Sequence, residues 1–566
     1  MFNFPDPKTK DPKERRKQRI FEIIPGVLTW FTLIGMFLFS FLLPTYVAIF
    51  IILFDIYWIY RTIFIAYYSV EGYRKLKSGT EIDWWERCQN TARPEEYVQE
   101  LEKRIIQMKE SLGDCKKKCS FQEKKIIKKT IRRDREYLNE LRNLSEIKSQ
   151  IMDWREVVHV VMMPTATEPA EVIEPAIQAV ADSNFPNQQF IILLATEERE
   201  PEKDRLEKVN YLKNKFQGVF SDFIVTTHIV KDDEMKAKAS NATFAAKYLK
   251  KYLEEKNIDL KKVIFSNFDC DSVAHPQYFA ALTYEYITDP KRLQRSYQPL
   301  PMYHNNLWDT NAFVRVIVTS SSFWHIFQST RDEGMVTFSS HSEPFDTLAK
   351  VDFWPVNMIS EDSIIYWKCF TYYNGDYKVK PIYLPISLDA VLAQTYWRTI
   401  KNQYKQKRRW AYGIENLPVI FRAISPNKKI GFWKKFRIFF EMIEGHHSWA
   451  TASMILAVLG WLPLIFGGDS FNQSVLAHNL PFITRYLMSI AMLGLIVSMS
   501  LSFLLMPPRP KKYSRWRNIY MLLQWVLVPI IAPFLGSLPS IDSQTRLMLG
   551  KYFGEFWVTE KIRKKQ

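Results

Sequence analysis

Cysteine is scarce. The chain of 566 residues holds five, Cys88, Cys115, Cys119, Cys270 and Cys369. They form neither a disulfide framework nor a zinc pattern, because Cys115 and Cys119 stand at i,i+4 with no second ligand pair. No collagen-like period and no disorder-type composition is present, since hydrophobic residues make up 47% of the chain. Acidic residues are outnumbered: Lys+Arg 77 against Asp+Glu 60 gives a net charge of +17. Such an excess fits nucleic acid, an anionic membrane face or a phosphorylated substrate. The apolar residues are unevenly spread. Long apolar runs lie near both ends and a charged stretch lies between them, which excludes a simple soluble enzyme.

The first run, 23–43, is about 20 residues long, enough for one bilayer crossing. A basic segment precedes it, but no small-residue cleavage site follows, so it reads as a span and not as a signal peptide. Pro44-Thr45 leads straight into a second run, 46–68, which contains Asp55. Asp55 reads as paired inside the bundle or near one end. Three more runs, at 449–466, 482–505 and 519–538, lie near the C-terminus. The loop 467–481 has no Lys or Arg, whereas the next carries Arg509, Lys511, Lys512, Arg515 and Arg517. The positive-inside rule therefore places that loop, the N-terminus and the region 71–447 in the cytoplasm. Five spans put the C-terminus outside, in conflict with its basic tail. Pro529, Pro533, Gly536 and Pro539 offer a way out by breaking the last run into a re-entrant pair.

Residues 94–154 are rich in helix formers, with apolar residues at three- and four-residue spacing. They predict a helical hairpin with a turn near Gly113-Asp114. The interleaved Glu and Asp favour a solvated interaction arm over a nucleic-acid surface. Strand and helix signals then alternate: strands at 157–164, 188–196, 222–230 and 262–268, and helices at 175–182 and 243–255. This alternation predicts a doubly wound α/β domain with a mostly parallel sheet, whose ligands bind beyond the carboxyl ends of the strands.

The residues in those positions are acidic. The strand VIFSNF ends in Asp269-Cys270-Asp271. Extended backbone puts the two carboxylates on one side, and paired hard oxygens suit Mg2+ or Mn2+ on a diphosphate. Glu361 and Asp362 open a helix, where acids are often only caps or dipole partners. Gln406, Arg409 and Trp410 form Q-x-x-R-W in a basic stretch. Arg is a phosphate ligand and Trp a sugar-stacking surface, against the plainer reading of a juxtamembrane basic helix.

A DxD, a distal E-D and Q-x-x-R-W in this order, followed by an amphipathic segment and spans, resemble the membrane-bound inverting family-two glycosyltransferases, the group of cellulose and hyaluronan synthases. The resemblance covers about 157–449 and the span layout. It implies a GT-A-type nucleotide-diphospho-sugar transferase domain joined to an α-helical membrane bundle. By resemblance, Asp269 contacts the nucleotide, Asp271 is the metal ligand with Asp269 beside it, and Asp362, next to Glu361, is the general base. Gln406, Arg409 and Trp410 hold the diphosphate and the acceptor sugar. MKAKASN resembles the nucleotide-site segment through Lys236 and Asn241. SYQPLP resembles the Q-x-P stretch through Gln298. Thr165 and Glu168 lie in the loop that contacts uracil or ribose.

There are departures. ATEERE replaces the usual Asp after the second strand, so either Glu197 or Glu198 substitutes or the contact is absent. FSSHSEPF stands where many synthases carry Gly-Thr, with Ser340 and His341 as candidates near the acceptor or as plain loop residues.

The implied protein is a multi-pass transferase of a plasma membrane of bacterial type, catalytic domain cytoplasmic. It uses a nucleotide-sugar, UDP-linked by family habit, with Mg2+ or Mn2+, and a polysaccharide or lipid-linked acceptor. The parts read as a basic N-terminus 1–20, two helices 21–70, a charged linker 71–154, the transferase domain 155–420, interface helices 421–447, about three helices 448–540 and a basic tail 541–566. The aromatic and basic residues of 432–443 read as an interfacial helix. Two rival readings are a catalytically degenerate scaffold and a transporter with a cytosolic regulatory domain. Transporters, however, place polar groups within their spans, and here Asp55 stands nearly alone.

Overall fold

The structure is a computed structural model that describes residues 2–114, 120–232, 234–331, 333–554 and 560–563. Cys115 and Cys119 lie outside the described residues. At its centre is an eight-stranded sheet. The strands are β1 (Val158–Pro164), β2 (Phe190–Glu197), β3 (Asp222–His228), β4 (Val263–Asn267), β5 (Val273–Ala274), β6 (Arg295–Met302), β7 (His341–Pro344) and β8 (Lys378–Ser387). Their order is β3-β2-β1-β4-β7-β6-β8-β5.

The first four strands are parallel, as the near-continuous apolar sequences of β1 and β2 demand of strands covered on both faces. The expectation of a mostly parallel sheet fails beyond β4. There β7 runs antiparallel to both β4 and β6, and β5 is antiparallel to β8, so the sheet is mixed. The inversion has a consequence for the site. Asn267 pairs with His341, so the segment entering β7 arrives where β4 ends.

Alternation splits the sheet residues between two cores. Val161, Met163, Ile192 and Leu194 pack under the helix Ala170–Ala181 and beside Tyr278 and Phe279. Val160, Met162, Ile191 and Leu193 face the helix Lys238–Glu255 and the helix Glu361–Tyr372, through Leu249, Ile364 and Ile365. The helical hairpin is present as Pro94–Asp114 and Phe121–Glu146. Leu101 and Ile105 close on Ile131, Leu138 and Leu141. The ion pair Arg142–Glu102 (2.5 Å) crosses the hairpin, and Arg87–Glu140 (3.1 Å) docks it.

The terminal runs form long helices, Pro12–Leu42, Pro44–Thr80, Val475–Leu505 and a broken segment over 516–548, each long and apolar enough to cross a membrane. Phe31, Leu42, Tyr46, Leu53, Ile63, Leu493 and Ile496 point outward. Exposed apolar residues in continuous bands on helices whose backbone is internally satisfied suit lipid. Asp55 is buried inside the helical bundle beside Thr484, and its Oδ2 has no hydrogen-bond partner among the described residues.

Two expectations change. The interfacial helix is not separate, because Phe432–Ala457 is one helix that bends by 51° into Leu459–Phe466. The last apolar run is attached to the sheet domain along its length. Lys512 pairs with Asp309 before it (3.1 Å), Gln524 accepts from Arg315 (2.7 Å), and Asp542 pairs with Arg408 (3.0 Å). A π-helical turn, Ala532–Ser537, interrupts it between Pro529 and Pro539.

Candidate functional site

The site lies at the carboxyl end of β4. The strand ends at Asn267 and the chain turns, with Ser272 N donating to Asp269 O (2.9 Å). The period-two expectation for Asp269 and Asp271 therefore does not hold, because they sit on a turn and take different partners. Asp269 accepts from Lys238 Nζ on Oδ1 (2.8 Å) and from Ser339 Oγ on Oδ2 (2.7 Å). Asp271 accepts on Oδ2 from Asp389 N and from Lys561 Nζ, both at 2.7 Å. Its Oδ1 is buried without a partner among the described residues.

Ser339 joins two acids. Its Oγ donates to Asp269 and its N–H donates to Asp362 Oδ2 (2.8 Å). It holds φ at +51°, an uncommon conformation for a residue with a side chain, of the kind stored at functional sites. Gln298 braces this segment. Its amide donates to Ser340 O (3.0 Å) and its Oε1 accepts from Phe338 N (3.0 Å), so it positions the loop from within the core. Ser340 Oγ accepts from Asp269 N (3.0 Å), and buried His341 contacts Ser339 O (2.9 Å). Both are structural supports of the loop.

Glu361 and Asp362 begin the helix Glu361–Tyr372, where carboxylates are favoured by the dipole. Lys238 Nζ lies 3.4 Å from Glu361. Asp362 also accepts from Ser363 N (2.9 Å) and its carbonyl from Thr337 Oγ1 (2.6 Å). Burial dominates the electrostatics. It pushes the Glu361 carboxyl up to about 7 against the pull of Lys238, and it raises Asp362 and Asp271. At Asp269 burial is outweighed by Lys238 and Lys561, which hold it well below the usual carboxylate range. Burial lowers Arg409, while Glu361, Asp269 and Asp362 pull it back up, which puts the guanidinium in the field of all three acids.

The helix Tyr396–Ala411 presents the Q-x-x-R-W group. Gln406 is buried and accepts from Gln403 (3.1 Å). Trp410 lies 6.4 Å from the buried Tyr303 ring, and Lys407 Nζ stands 4.6 Å from the Trp410 centroid.

Other anticipated residues frame the opposite rim. Thr165 N donates to Ala195 O (2.8 Å), Glu168 caps its own loop through Ala166 N (2.7 Å), and Asn241 donates to Ala195 O (2.9 Å). Behind them Lys208 and Glu200 form a buried pair at 2.7 Å. Glu197 is buried against Arg199 (2.5 Å), and exposed Glu198 accepts from Val230 N (3.2 Å). Lys236 is exposed; the lysine that reaches the acids is Lys238, two residues on in the same stretch. Spacing alone does not say which of two alternating lysines faces β4.

Sequence reasoning also missed Asp389, Lys561 and Arg563. Asp389 follows β8, and β5–β8 pairing carries it to Asp271. Arg563 grips Asp389 with Nε and Nη2, both at 3.0 Å. The only signal was the basic character of the tail.

Mg2+ keeps several waters and is held by one or two carboxylates together with substrate phosphates. Among the described residues no group of three or more His, Cys, Asp or Glu is placed to hold a metal. Both oxygens of Asp269 are engaged, Asp389 is bound to Arg563, and Asp271 offers one free oxygen. As arranged, with Lys561 on Asp271 and Arg563 on Asp389, these acids leave one carboxylate oxygen, Asp271 Oδ1, for the Mg2+ or Mn2+ expected at Asp269 and Asp271.

No known family profile matches the chain, and no curated protein matches it. Solved structures do. A mannosyltransferase from Pyrobaculum calidifontis, in complex with GDP-Man and Mn2+, is 14% identical, with a TM-score of 0.32, over 60% of this chain and 86% of that one. S. aureus TarS 1-349 with UDP-GlcNAc is 10% identical with a TM-score of 0.33, over 71% and 93%. GalNAc-T7 with UDP, GalNAc and Mn2+ is 10% identical with a TM-score of 0.31, over 51% of this chain, which spans 57% of that structure. Likeness this distant carries no argument about chemistry, which rests on the site itself.

Proposed function

We propose that the chain is a membrane-embedded glycosyltransferase that moves a sugar, with inversion, from a nucleoside diphosphate to a hydroxyl of a polysaccharide or lipid-linked acceptor. One observation carries the reading. Lys238 meets Asp269 at 2.8 Å and Glu361 at 3.4 Å, Ser339 ties Asp269 to Asp362, and Arg409 lies in the field of all three acids at the carboxyl end of β4. The domain boundaries and the residue roles belong to the same proposal, with UDP the base expected from the motif resemblance.

The chemistry is an in-line displacement at the anomeric carbon. The acceptor oxygen forms its bond to that carbon as the bond to the phosphate oxygen breaks. The electron pair leaves with the nucleoside diphosphate, and the acceptor proton goes to a carboxylate. Asp362 is that base. Its two backbone hydrogen bonds fix its orientation, and its raised affinity for a proton suits the task. Arg409 and Lys238 meet the charge growing on the diphosphate in a site where burial strengthens the interaction. Trp410 and Tyr303 form the aromatic wall against which a sugar ring packs. The helix Tyr396–Ala411 also touches the last apolar segment through Arg408 and Asp542, so the acceptor approaches from the bilayer side, with the sheet domain in the cytoplasm of a bacterial-type membrane.

The test is release of nucleoside diphosphate from a panel of sugar nucleotides by protein in nanodiscs. Release from one donor, abolished in Asp362→Asn, is expected. No release from any donor, together with no nucleotide binding, overturns the reading. Sizing of the products then distinguishes a polymer ladder from a single transfer.

A further inference from the structure

The tail residues 560–563 are built into the site. Ile562 N donates to Leu392 O (3.1 Å), and Lys561 bridges Leu392 in parallel, so the segment lies extended beside the strand exit. Side chains alternate in such a segment. Lys561 and Arg563 turn one way, onto Asp271 (2.7 Å) and Asp389 (3.0 Å), while Glu560 turns to Arg398 (2.8 Å) and Asn402 (3.3 Å). Arg563 also donates to Glu171 O (3.4 Å), at the helix across the site.

Charge gives this arrangement its meaning. Five carboxylates meet here: Asp269, Asp271, Asp389, Glu361 and Asp362. With the tail in place they face four cations, Lys238, Arg409, Lys561 and Arg563. Without it they face two, and Asp271 and Asp389 lose the cations that pair with them where a nucleoside diphosphate must bind. One lysine and one arginine carry together the charge of a single divalent ion. They sit on the two acids, Asp271 and Asp389, that such an ion would otherwise neutralise.

We propose that Lys561 and Arg563 are the resident counter-charge of this site, and that the protein binds the diphosphate of its donor without a divalent metal. The proposal rests on the glycosyltransferase reading above. Lys561 neutralises Asp271 and directs its remaining N–H donors toward the phosphates, and Arg563 keeps Asp389 from competing.

The experiment is calorimetric titration of the full chain in nanodiscs with UDP and with GDP, once in EDTA and once in Mn2+. It includes wild type, Lys561→Met/Arg563→Met, and the charge-conserving Lys561→Arg/Arg563→Lys. Wild type is expected to bind one nucleotide equally in both buffers. The Met pair, less stable because buried Asp271 and Asp389 lose their partners but folded at the titration temperature by circular dichroism, is expected to bind at least 10-fold more weakly, and the charge-conserving pair to recover most of that loss. Binding by wild type that appears only with Mn2+ overturns the proposal and leaves the transferase reading standing. Tighter binding by the Met pair also overturns it, and makes the tail an inhibitory plug. No binding of either nucleotide in either buffer removes the transferase reading and this proposal with it.

Discussion

Lys238 Nζ sits 2.8 Å from Asp269 Oδ1, and the pair joins the first turn of the helix Lys238–Glu255 to the loop that leaves β4. The same ammonium reaches Glu361 at 3.4 Å. One cation therefore holds together carboxylates contributed by segments almost a hundred residues apart.

Lys238→Met is expected to destabilise the domain by about 3 kcal/mol, because it strands acids in a buried site. Asp269→Asn added to it is expected to return part of that loss, as one stranded charge is removed. Denaturant titration of the single and double variants checks this. Additive losses would show that the two residues do not interact.

Asp362→Asn is expected to lower turnover about 10²–10⁴-fold, the range for loss of a general base. The amide keeps an acceptor oxygen for Ser339 N, so nucleotide affinity is expected to stay within a few-fold of wild type. Steady-state kinetics and calorimetry together separate the two effects. Equal losses of turnover and affinity would count against the role of base.

Glu343 in β7 is fully buried, with Ser296 Oγ at 3.4 Å and the buried His341 Nε2 at 3.6 Å facing its carboxylate. Burial raises its carboxyl to about 8, against the Ser296 hydrogen bond. The folded state therefore holds a proton that the unfolded chain releases at an ordinary carboxylate pH. Stability is fully present below the unfolded value of about 4.3 and is lost as pH rises through 8. Glu343→Gln is expected to flatten that decline between about pH 5 and 8. Melting temperatures across the range measure it, and an unchanged slope would refute the assignment.

Gly72 lets the helix Pro44–Thr80 lie directly on the helix Ala312–Ser329. A Cβ there would come 2.6 Å from Ile326 Cγ2 and 2.8 Å from Ile326 O. Gly72→Ala is expected to cost about 1–3 kcal/mol by overpacking. Gly113→Ala, where a Cβ meets nothing within 4 Å, is the control. A lower melting temperature for the first variant alone is the expected result.

The last apolar segment begins and ends on the sheet domain, through Lys512–Asp309 and Arg408–Asp542. Its two flanks are thus expected on one side of the membrane. Cysteines placed at exposed Lys511 and Lys551, with the native ones replaced, are expected to react with an impermeant maleimide from the side of the domain. Labelling of position 551 from the opposite side would mean that the segment crosses.

Much of the architecture was legible. Apolar runs marked the long helices, continuous apolar sequence marked β1 and β2, and helical spacing marked the hairpin, because each is a local pattern set by periodicity and burial. Asp269, Glu361, Asp362 and Arg409 also stood out by residue type, and the fold brings them together. The reversal of the sheet at β7 was not legible, since His341–Pro344 is four residues long and its direction depends on its neighbours. The break in the last apolar run was offered by Pro529, Pro533, Gly536 and Pro539, and the π-helical turn Ala532–Ser537 lies among them.

By itself the sequence determined the long apolar helices, the helical hairpin and the first four strands, and which acids end a strand or open a helix. Tertiary structure alone decided that Lys238, and not Lys236, enters the site, and that Asp389 joins Asp271 through β5 and β8. It alone carried Lys561 and Arg563 from the end of the chain to those acids. Local pattern reports which way a side chain faces along its own segment. Which charges meet across hundreds of residues is set by strand order and packing, and those come from the whole chain folding at once.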